Sequence, residues 1–215
     1  MFVANTGNNT IGVYDATTGA TIDSSFISGL RFAGGIAASG GNLFVVNDSD
    51  TIGKYSATTG AMIDRSFISS GSFASDIAVS GGNLFVTISN TLDNRIGKFN
   101  ATTGATIDDS FISFPAINSA PRGMAISGEN LFVTLLGESD DPLNMVGLYN
   151  AATGATIDTS FISSGLNVPE GIVVIPPSSV PDASPTLTLL LLGIGATFGF
   201  NFLLPDSHSL HLSQN

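Results

Sequence analysis

The chain has 215 residues, enough for one sizeable core, and only 11% of them are charged, with 17 acidic against 6 basic side chains. The basic residues are scattered, which argues against a nucleic-acid partner because phosphate neutralisation needs clustered Lys and Arg. Cysteine is absent, so disulfides, thiolate metal sites and cysteine nucleophiles are excluded.

A repeated segment dominates the chain. Its second copy reads TIGKYSATTGAMIDRSFIS, and the four copies begin at Thr10, Thr51, Arg95 and Met145. Aromatic residues at one position of the copy are 41, 44 and 50 residues apart: Tyr14, Tyr55, Phe99 and Tyr149. This period is typical of the four-stranded blade of a β-propeller.

Each repeat predicts four short strands. In the second repeat they cover residues 36–39, 42–47, 51–56 and 61–69, which are rich in β-branched and aromatic residues. Gly40-Gly41 and the ATTG sequence at 57–60 predict tight hairpin turns, since Gly accepts a positive φ without a Cβ clash. The sequence therefore predicts an all-β β-propeller of four-stranded antiparallel blades, with four blades in this chain.

The repeats are out of phase with the start of the chain. Met1 aligns with the second strand of a blade, whereas residues 171–175 (GIVVI) align with the first strand. One interpretation is that the strand at 171–175 completes the first blade and closes a ring of four, which would leave no exposed sheet edge. The other is that the chain is a piece of a larger propeller, whose missing part would include a signal peptide.

Two sets of repeated side chains are expected to be structural. Phenylalanines recur at two positions of the repeat and predict packing between blades: Phe2, Phe44, Phe85 and Phe132, and Phe26, Phe67, Phe111 and Phe161. Aspartates recur just before the second set: Asp23, Asp64, Asp108 and Asp158. A short acidic side chain can accept hydrogen bonds from backbone N–H groups at a strand end. We therefore expect these aspartates to stabilise the backbone.

Candidate ligand-binding residues come from the loops that differ between repeats, because function usually resides on variable loops of a repetitive scaffold. Arg31, Asp76, Arg122 and Glu170 lie at or beside the entry to the innermost strands and could ring the mouth of a channel. Mutual ion pairing or solvation is the alternative. The acidic loop GESDDPLN offers a weak Ca²⁺ candidate in Glu138, Asp140 and Asp141, although it lacks the spacing of a dedicated calcium loop.

The sequence predicts no catalytic residues in the repeats, no cofactor and no other metal site. The two histidines, His208 and His211, follow the repeats, so Ser-His-Asp, Cys-His and His-metal sites are excluded from the propeller. The glycines lie in predicted hairpins rather than at helix starts, which argues against a phosphate-binding loop.

Composition changes after the propeller, which we assign to residues 1–176. Residues 177–186 form a Pro/Ser linker, residues 187–204 an uncharged hydrophobic helix, and residues 205–215 a polar tail. As a helix, 187–204 would be about 27 Å long, close to the hydrocarbon thickness of a bilayer. This predicts a transmembrane helix, with a soluble helix packed on the propeller as the alternative.

The residues at this boundary carry a resemblance. Val180, Pro181 and Asp182, followed by a Leu/Gly-rich segment, resemble the Val-Pro-Asp variant of the PEP-CTERM class of bacterial C-terminal sorting signals. The repeats resemble the exported β-propeller proteins of the NHL or YVTN kind. Together these resemblances imply export, residence in the cell envelope or extracellular matrix, and an extracellular polysaccharide or protein as partner.

Three functions remain open on this basis. The first is a non-enzymatic, exported binding or matrix module. The second is an extracellular hydrolase or lyase, which requires two carboxyl groups that converge in a pocket on the variable-loop surface. The third is a structural surface-layer component that assembles without a ligand.

Overall fold

The computed structural model describes residues 1–90, 93–114, 120–137 and 144–175. It is all-β, with fifteen strands in the described residues. Their bounds are β1 Phe2–Asn5, β2 Thr10–Tyr14, β3 Thr21–Ile27, β4 Ile36–Ser39, β5 Asn42–Asp48, β6 Thr51–Ser56, β7 Met62–Ser69, β8 Phe73–Ser80, β9 Asn83–Ser89, β10 Asn94–Asn100, β11 Thr106–Phe114, β12 Ala120–Ser127, β13 Asn130–Leu136, β14 Met145–Asn150 and β15 Thr156–Ile162. In the second repeat these bounds lie within one residue of the predicted strands.

The strands form four antiparallel meanders, one for each repeat. Sheet 1 has the order β1-β2-β3, sheet 2 β4-β5-β6-β7, sheet 3 β8-β9-β10-β11 and sheet 4 β12-β13-β14-β15. The fold class is therefore confirmed as a β-propeller of antiparallel blades. Sheet 1 has three strands among the described residues, because residues 171–175 form no strand and Val173 is 82% exposed. The predicted completion of the first blade by this segment is not seen.

The cores lie between successive sheets. Leu43 and Val45 of β5 pack towards sheet 1, whereas Phe44 and Val46 pack towards sheet 3, in two separate clusters of buried residues. A third cluster lies between sheets 3 and 4. Neighbouring side chains of a strand point to opposite faces, so a strand covered on both faces needs a continuous apolar run. This explains the sequence Leu-Phe-Val-Val at 43–46.

The hairpins and loops define two surfaces. We call the end of the strands with the Gly-Gly-type and ATTG turns the turn face, and the opposite end, with the loops β5–β6, β7–β8 and their equivalents, the loop face. On the turn face, Gly40 and Gly41 have φ of 56° and 76°, and Gly60 has φ of 70°. The predicted left-handed glycines are thus confirmed, and the turns leave the variable loops at the other end.

The repeated phenylalanines behave as expected in three repeats. The two rings of each repeat lie 5.5 to 5.8 Å apart: Phe2 with Phe26, Phe44 with Phe67, Phe85 with Phe111, and Phe132 with Phe161. The first three pairs belong to the clusters between sheets. In the fourth repeat Phe161 is 49% exposed. The prediction of packing between blades is confirmed where the structure describes a following sheet.

The repeated aspartates are structural as well. Oδ1 of each accepts a hydrogen bond of 2.8 to 3.0 Å from the backbone N–H two residues later, at Ser25, Ser66, Ser110 and Ser160. This bond forms where the register of the outermost strand shifts, at the pairs of Asp23, Asp64, Asp108 and Asp158 with the preceding strand. The aspartates therefore satisfy backbone donors at irregular positions of an exposed strand.

Candidate functional site

The innermost segments of successive repeats approach each other closely. Gly35, Asp76, Gly123 and Gly171 are equivalent in sequence. A Cβ on Gly35 would lie 2.6 Å from Cα of Asp76, and a Cβ on Gly123 would lie 2.3 Å from the carbonyl oxygen of Glu170. Both distances are shorter than any contact that a side chain tolerates. This position therefore requires glycine in two repeats, and Asp76 is the exception.

The Asp76 side chain connects sheet 3 to sheet 4. Its Oδ2 accepts a hydrogen bond of 2.8 Å from the backbone N–H of Met124 in β12, and its own N–H donates to Oγ1 of Thr87 at 2.8 Å. Burial raises the pKa of the Asp76 carboxyl, and the hydrogen bonds from Met124 and Ile77 partly oppose this effect. The carboxyl is thus held in a fixed position in a poorly solvated place.

Asp76 lines a cleft of about 410 Å³ on the loop face. The cleft receives residues from all four repeats, since its lining contains Thr6, Phe32, Phe73, Ser75, Asp76, Arg122, Glu170 and Gly171. The Phe32 and Phe73 rings lie 6.0 Å apart, and Phe73 is 38% exposed. Two aromatic rings, a guanidinium and two carboxyl groups therefore share one concave surface, the combination of apolar and polar groups that is typical of ligand sites.

Arg122 is the residue of the cleft with unmet hydrogen-bonding capacity. Its Nε is buried and has no hydrogen-bond partner among the described residues. The Ser75 hydroxyl lies 3.4 and 3.3 Å from the carbonyl oxygens of Pro121 and Arg122, either of which can accept its single proton. A buried donor without an acceptor costs about 1–3 kcal/mol.

The structure brings together three of the four predicted ligand-binding residues. Asp76, Arg122 and Glu170 line the cleft, with no ion pair between them in the part of the chain that the structure describes. Arg31 is not among the lining residues. Its side chain is 74% exposed and forms an ion pair with Asp48 at 3.3 Å. Arg31 thus pairs with a residue outside the predicted set of four, and solvation remains the alternative to a ligand for the other three.

Other predicted residues lie outside the described residues. These are the calcium candidate Glu138, Asp140 and Asp141, the sorting motif Val180, Pro181 and Asp182, and the hydrophobic segment 187–204. The described ranges contain no cluster of three or more acidic or histidine side chains suited to a metal ion. They also contain no helix with the length and apolar character that crossing a membrane requires.

Sequence reasoning missed two parts of the loop face. One is the pair Phe32 and Phe73, which occupy equivalent positions of successive repeats and fall outside the two repeated phenylalanine positions. Their position outside the repeated phenylalanine pattern was the signal in the sequence that could have identified them. The other is Arg95, one of the scattered basic residues, whose side chain is 7% exposed and pairs with Asp93 and, at 3.3 Å, with Asp109.

Comparison with known proteins supports the fold. A family model described as outer membrane protein assembly factor BamB matches residues 7–107, just under half of the chain. No curated protein matches the sequence.

Several solved structures are similar in fold. The computationally designed Ika8 protein has a TM-score of 0.53 at 13% identity, over 81% of this chain and 49% of that one. Hydrazine synthase from Kuenenia stuttgartiensis has a TM-score of 0.58 at 19% identity, over 74% and 45%. BamB from Moraxella catarrhalis has a TM-score of 0.46 at 17% identity, over 76% and 46%. The chain spans about half the length of these three proteins, and the first two of them support the propeller fold.

Proposed function

We propose that this chain is a non-catalytic binding module of the cell envelope, and that the cleft on the loop face holds an extended segment of a protein partner. The cleft is the observation that carries the proposal, because all four repeats contribute to it and its lining combines Phe32 and Phe73 with Arg122, Asp76 and Glu170. The match to a family named for outer membrane protein assembly supports both the envelope location and a protein partner.

The chemistry of the cleft defines the partner. Arg122 would donate to a backbone carbonyl or a carboxylate of the bound segment. Asp76 and Glu170 would accept from its amide, hydroxyl or ammonium groups, and Phe32 and Phe73 would contact an apolar side chain. A net charge of −11 and scattered basic residues give no long-range attraction for a polyanion. A segment of mixed polarity therefore fits better than an acidic polymer.

An exported location is consistent with this proposal, and the inference of export comes from the sequence alone. The resemblance of residues 180–182 and 187–204 to a PEP-CTERM sorting signal, and of the repeats to NHL or YVTN propellers, would place the module outside the cytoplasm, attached through its C-terminal segment. Fractionation of cells that express the full-length gene would test the location. Recovery of the protein only from the cytoplasm would contradict it.

A matched pair of arginine variants tests the ligand site. The full chain would be used to select peptides from a displayed random-peptide library, and the affinity of a selected peptide would be measured by calorimetry. We expect Arg122→Gln to weaken binding roughly tenfold or more, because a hydrogen bond to a charged group contributes about 1.5–3 kcal/mol. Arg31→Gln is the control, since Arg31 lies on the same face outside the cleft.

Several results would overturn the proposal. If no peptide is selected, or if both arginine variants bind equally, the cleft does not hold a peptide segment. Binding on a glycan array without peptide binding would instead identify a polysaccharide partner.

One observation favours a second candidate, an extracellular hydrolase or lyase. Asp76 and Glu170 line the same cleft, and the pKa of Asp76 is raised by burial, as expected for a general acid. This candidate predicts the release of new chain ends from polysaccharide or peptide substrates. Asp76→Asn and Glu170→Gln would each abolish this activity, and its absence over a broad substrate panel would exclude the candidate.

A further inference from the structure

The charged side chains that line the cleft on the loop face are unequal in number. Asp76 and Glu170 contribute two carboxyl groups, and Arg122 contributes one guanidinium. None of these three groups forms an ion pair with another in the described residues. The cleft therefore carries net negative charge when both carboxyl groups are ionised, which favours a basic ligand group over an acidic one.

The other arginines near the loop face do not offset this charge. Arg31 pairs with Asp48 at 3.3 Å, and Arg95 pairs with Asp93 and, at 3.3 Å, with Asp109. Neither arginine lines the cleft. The chain as a whole has a net charge of −11, so its overall field also attracts cations. A basic group of a ligand is thus the electrostatic complement of the cleft.

Two aromatic rings form an apolar wall in the same cleft. The rings of Phe32 and Phe73 lie 6.0 Å apart with an angle of 55° between their planes. Phe32 packs partly against the buried cluster between sheets 2 and 3, and Phe73 is 38% exposed, so one ring is supported while the other stays open to a ligand. Aromatic faces attract cations and can cover the methylene stem of a long basic side chain.

The carboxyl group of Asp76 is held in place beside this wall. Phe73 and Asp76 both belong to β8, and Oδ2 of Asp76 accepts the hydrogen bond of 2.8 Å from the Met124 N–H. A carboxylate has about four lone-pair sites, so Asp76 keeps acceptor capacity for a ligand. Because its orientation is already fixed, it loses little conformational freedom when a ligand binds.

We infer that the cleft recognises a basic side chain, lysine or arginine, of the bound segment. The methylene stem of this side chain lies against Phe32 and Phe73, and its charged end contacts Asp76 and Glu170. The inference rests on the proposed function, since it identifies which residue of the peptide segment enters the cleft. Arg122 remains the donor to a carbonyl oxygen of the same segment.

Two forms of one peptide test this inference. The full chain selects a peptide from a displayed random-peptide library, and the peptide is synthesised with each lysine or arginine replaced in turn by norleucine, a linear apolar residue without charge. We expect one of these replacements to weaken binding roughly tenfold or more in calorimetry, because hydrogen bonds between charged groups are stronger than neutral ones.

Matched acid variants of the full chain locate the contact. Glu170→Gln and Asp76→Asn should each weaken binding of the basic peptide and leave binding of its norleucine form unchanged. Asp50→Asn is the control, because Asp50 is an exposed acid between β5 and β6 on the same face and does not line the cleft. An equal loss in Asp50→Asn would show attraction by the overall charge and would contradict a contact in the cleft.

The outcomes separate this inference from the proposed function. A peptide that loses affinity in Arg122→Gln but binds equally well in every norleucine form, or a selected peptide without a basic residue, shows that the cleft holds a segment and overturns the basic side chain. If no peptide is selected, the proposed function and the inference both fail.

The proton of Asp76 gives a second readout. Burial raises the pKa of this carboxyl, and the other charged groups that line the cleft are Arg122 and Glu170. A cation beside Asp76 favours its ionised form, so the basic peptide should bind more tightly as the pH rises from about 4 through the raised pKa. Calorimetry in buffers with different ionisation enthalpies measures the released proton. Equal proton release for the basic peptide and its norleucine form, or for Asp76→Asn and the unmodified chain, contradicts the contact with Asp76.

Discussion

The turn face and the loop face of this propeller differ in whether their polar side chains recur in every repeat. On the turn face, each ATTG turn is closed by a side chain at its start, Asp15, Ser56, Asn100 or Asn150, which accepts hydrogen bonds from two backbone N–H groups. On the loop face, Asp76, Arg95 and Arg122 each occur in one repeat only. Side chains that recur in every repeat thus stabilise the turns of each blade. Side chains that occur in one repeat make contacts that are found at one place in the molecule.

Lysines add contacts between repeats on the turn face. Nζ of Lys54 lies 4.6 Å from the centre of the Phe67 ring and donates to Thr102 O, and Lys98 makes the equivalent contacts with Phe111 and Ala152 O. Each lysine therefore joins its own phenylalanine to the turn of the next repeat. Val13 and Leu148 occupy this position in the outer repeats, so the contact belongs to the two middle repeats.

The largest expected effect is the difference in unfolding free energy between alanine substitutions at two glycines of the turn face, Gly104 and Gly82. Gly104 and Gly82 have φ of 73° and 77°, but a Cβ on Gly104 would lie 2.2 Å from Phe67 O, whereas nothing lies within 4 Å at Gly82. Gly82→Ala should cost about 1 kcal/mol of unfolding free energy through backbone strain alone. Gly104→Ala should cost about 3 kcal/mol or more, because the adjacent blades must also separate. Urea unfolding measures both, and equal costs would contradict tight contact between blades.

Arg95 gives the next largest effect and tests whether a single-copy residue of the loop face can also be structural. Its guanidinium bonds Asp109 O at 3.0 Å and Ser70 O at 3.2 Å, which joins sheet 3 to the end of sheet 2. Arg95→Met should lower the free energy of unfolding by about 2 kcal/mol, since the buried carbonyl of Ser70 loses its charged donor. Arg31→Met, an exposed arginine with one ion pair, should cost less than about 0.5 kcal/mol.

The turn caps give a smaller effect. Oδ1 of Asn100 accepts from the N–H groups of Thr102 and Thr103, both at 2.9 Å. Asn100→Ala should lower the free energy of unfolding by about 1 kcal/mol. Asn100→Asp should retain stability, because Asp15 makes the same bonds in the first repeat and they lower the pKa of its carboxyl. A loss as large in Asn100→Asp as in Asn100→Ala would show that the side chain does not act as a cap.

Asp76 gives the smallest effect, and its sign depends on pH. Burial raises its pKa in the folded state above the ordinary value of 3.8, so the folded chain binds this proton more tightly than the unfolded chain. Ionisation of Asp76 therefore lowers stability as the pH rises from about 4 through the folded pKa. Asp76→Asn keeps an acceptor for Met124 and removes this dependence. Its stability relative to the unmodified chain should increase with pH, and a constant difference between pH 3 and 7 would contradict the raised pKa.

Much of the fold was predictable because the same pattern of strands and turns occurs in four copies, and each copy predicts the same local structure. The period, the Gly-Gly turns and the alternating faces of Leu43, Phe44, Val45 and Val46 predict the blades and their packing. The conformation of residues 171–175 was not predictable, since sequence phase identifies a segment that matches an innermost strand but does not show whether a partner strand lies beside it.

The site was predictable in part. Loop position brought Asp76, Arg122 and Glu170 to one cleft, because residues that enter equivalent inner strands lie at the same end of the sheets. Arg31 is not among the residues that line the cleft, because its long side chain reaches Asp48 at the end of β5. Pairing of this kind depends on side-chain reach and local loop shape, which spacing along the chain does not encode.

The sequence by itself determined the number of repeats, the strands in each and the turns between them, because these follow from local preferences and from patterns of apolar residues. The tertiary structure alone decided which charged groups are buried and which are paired. Asp76 and Arg95 each make a contact with a neighbouring repeat, through the N–H of Met124 and the carbonyl oxygen of Ser70. The physical reason is that the desolvation of a charged side chain depends on the blade that packs against it. The sequence of the side chain's own repeat does not specify that contact.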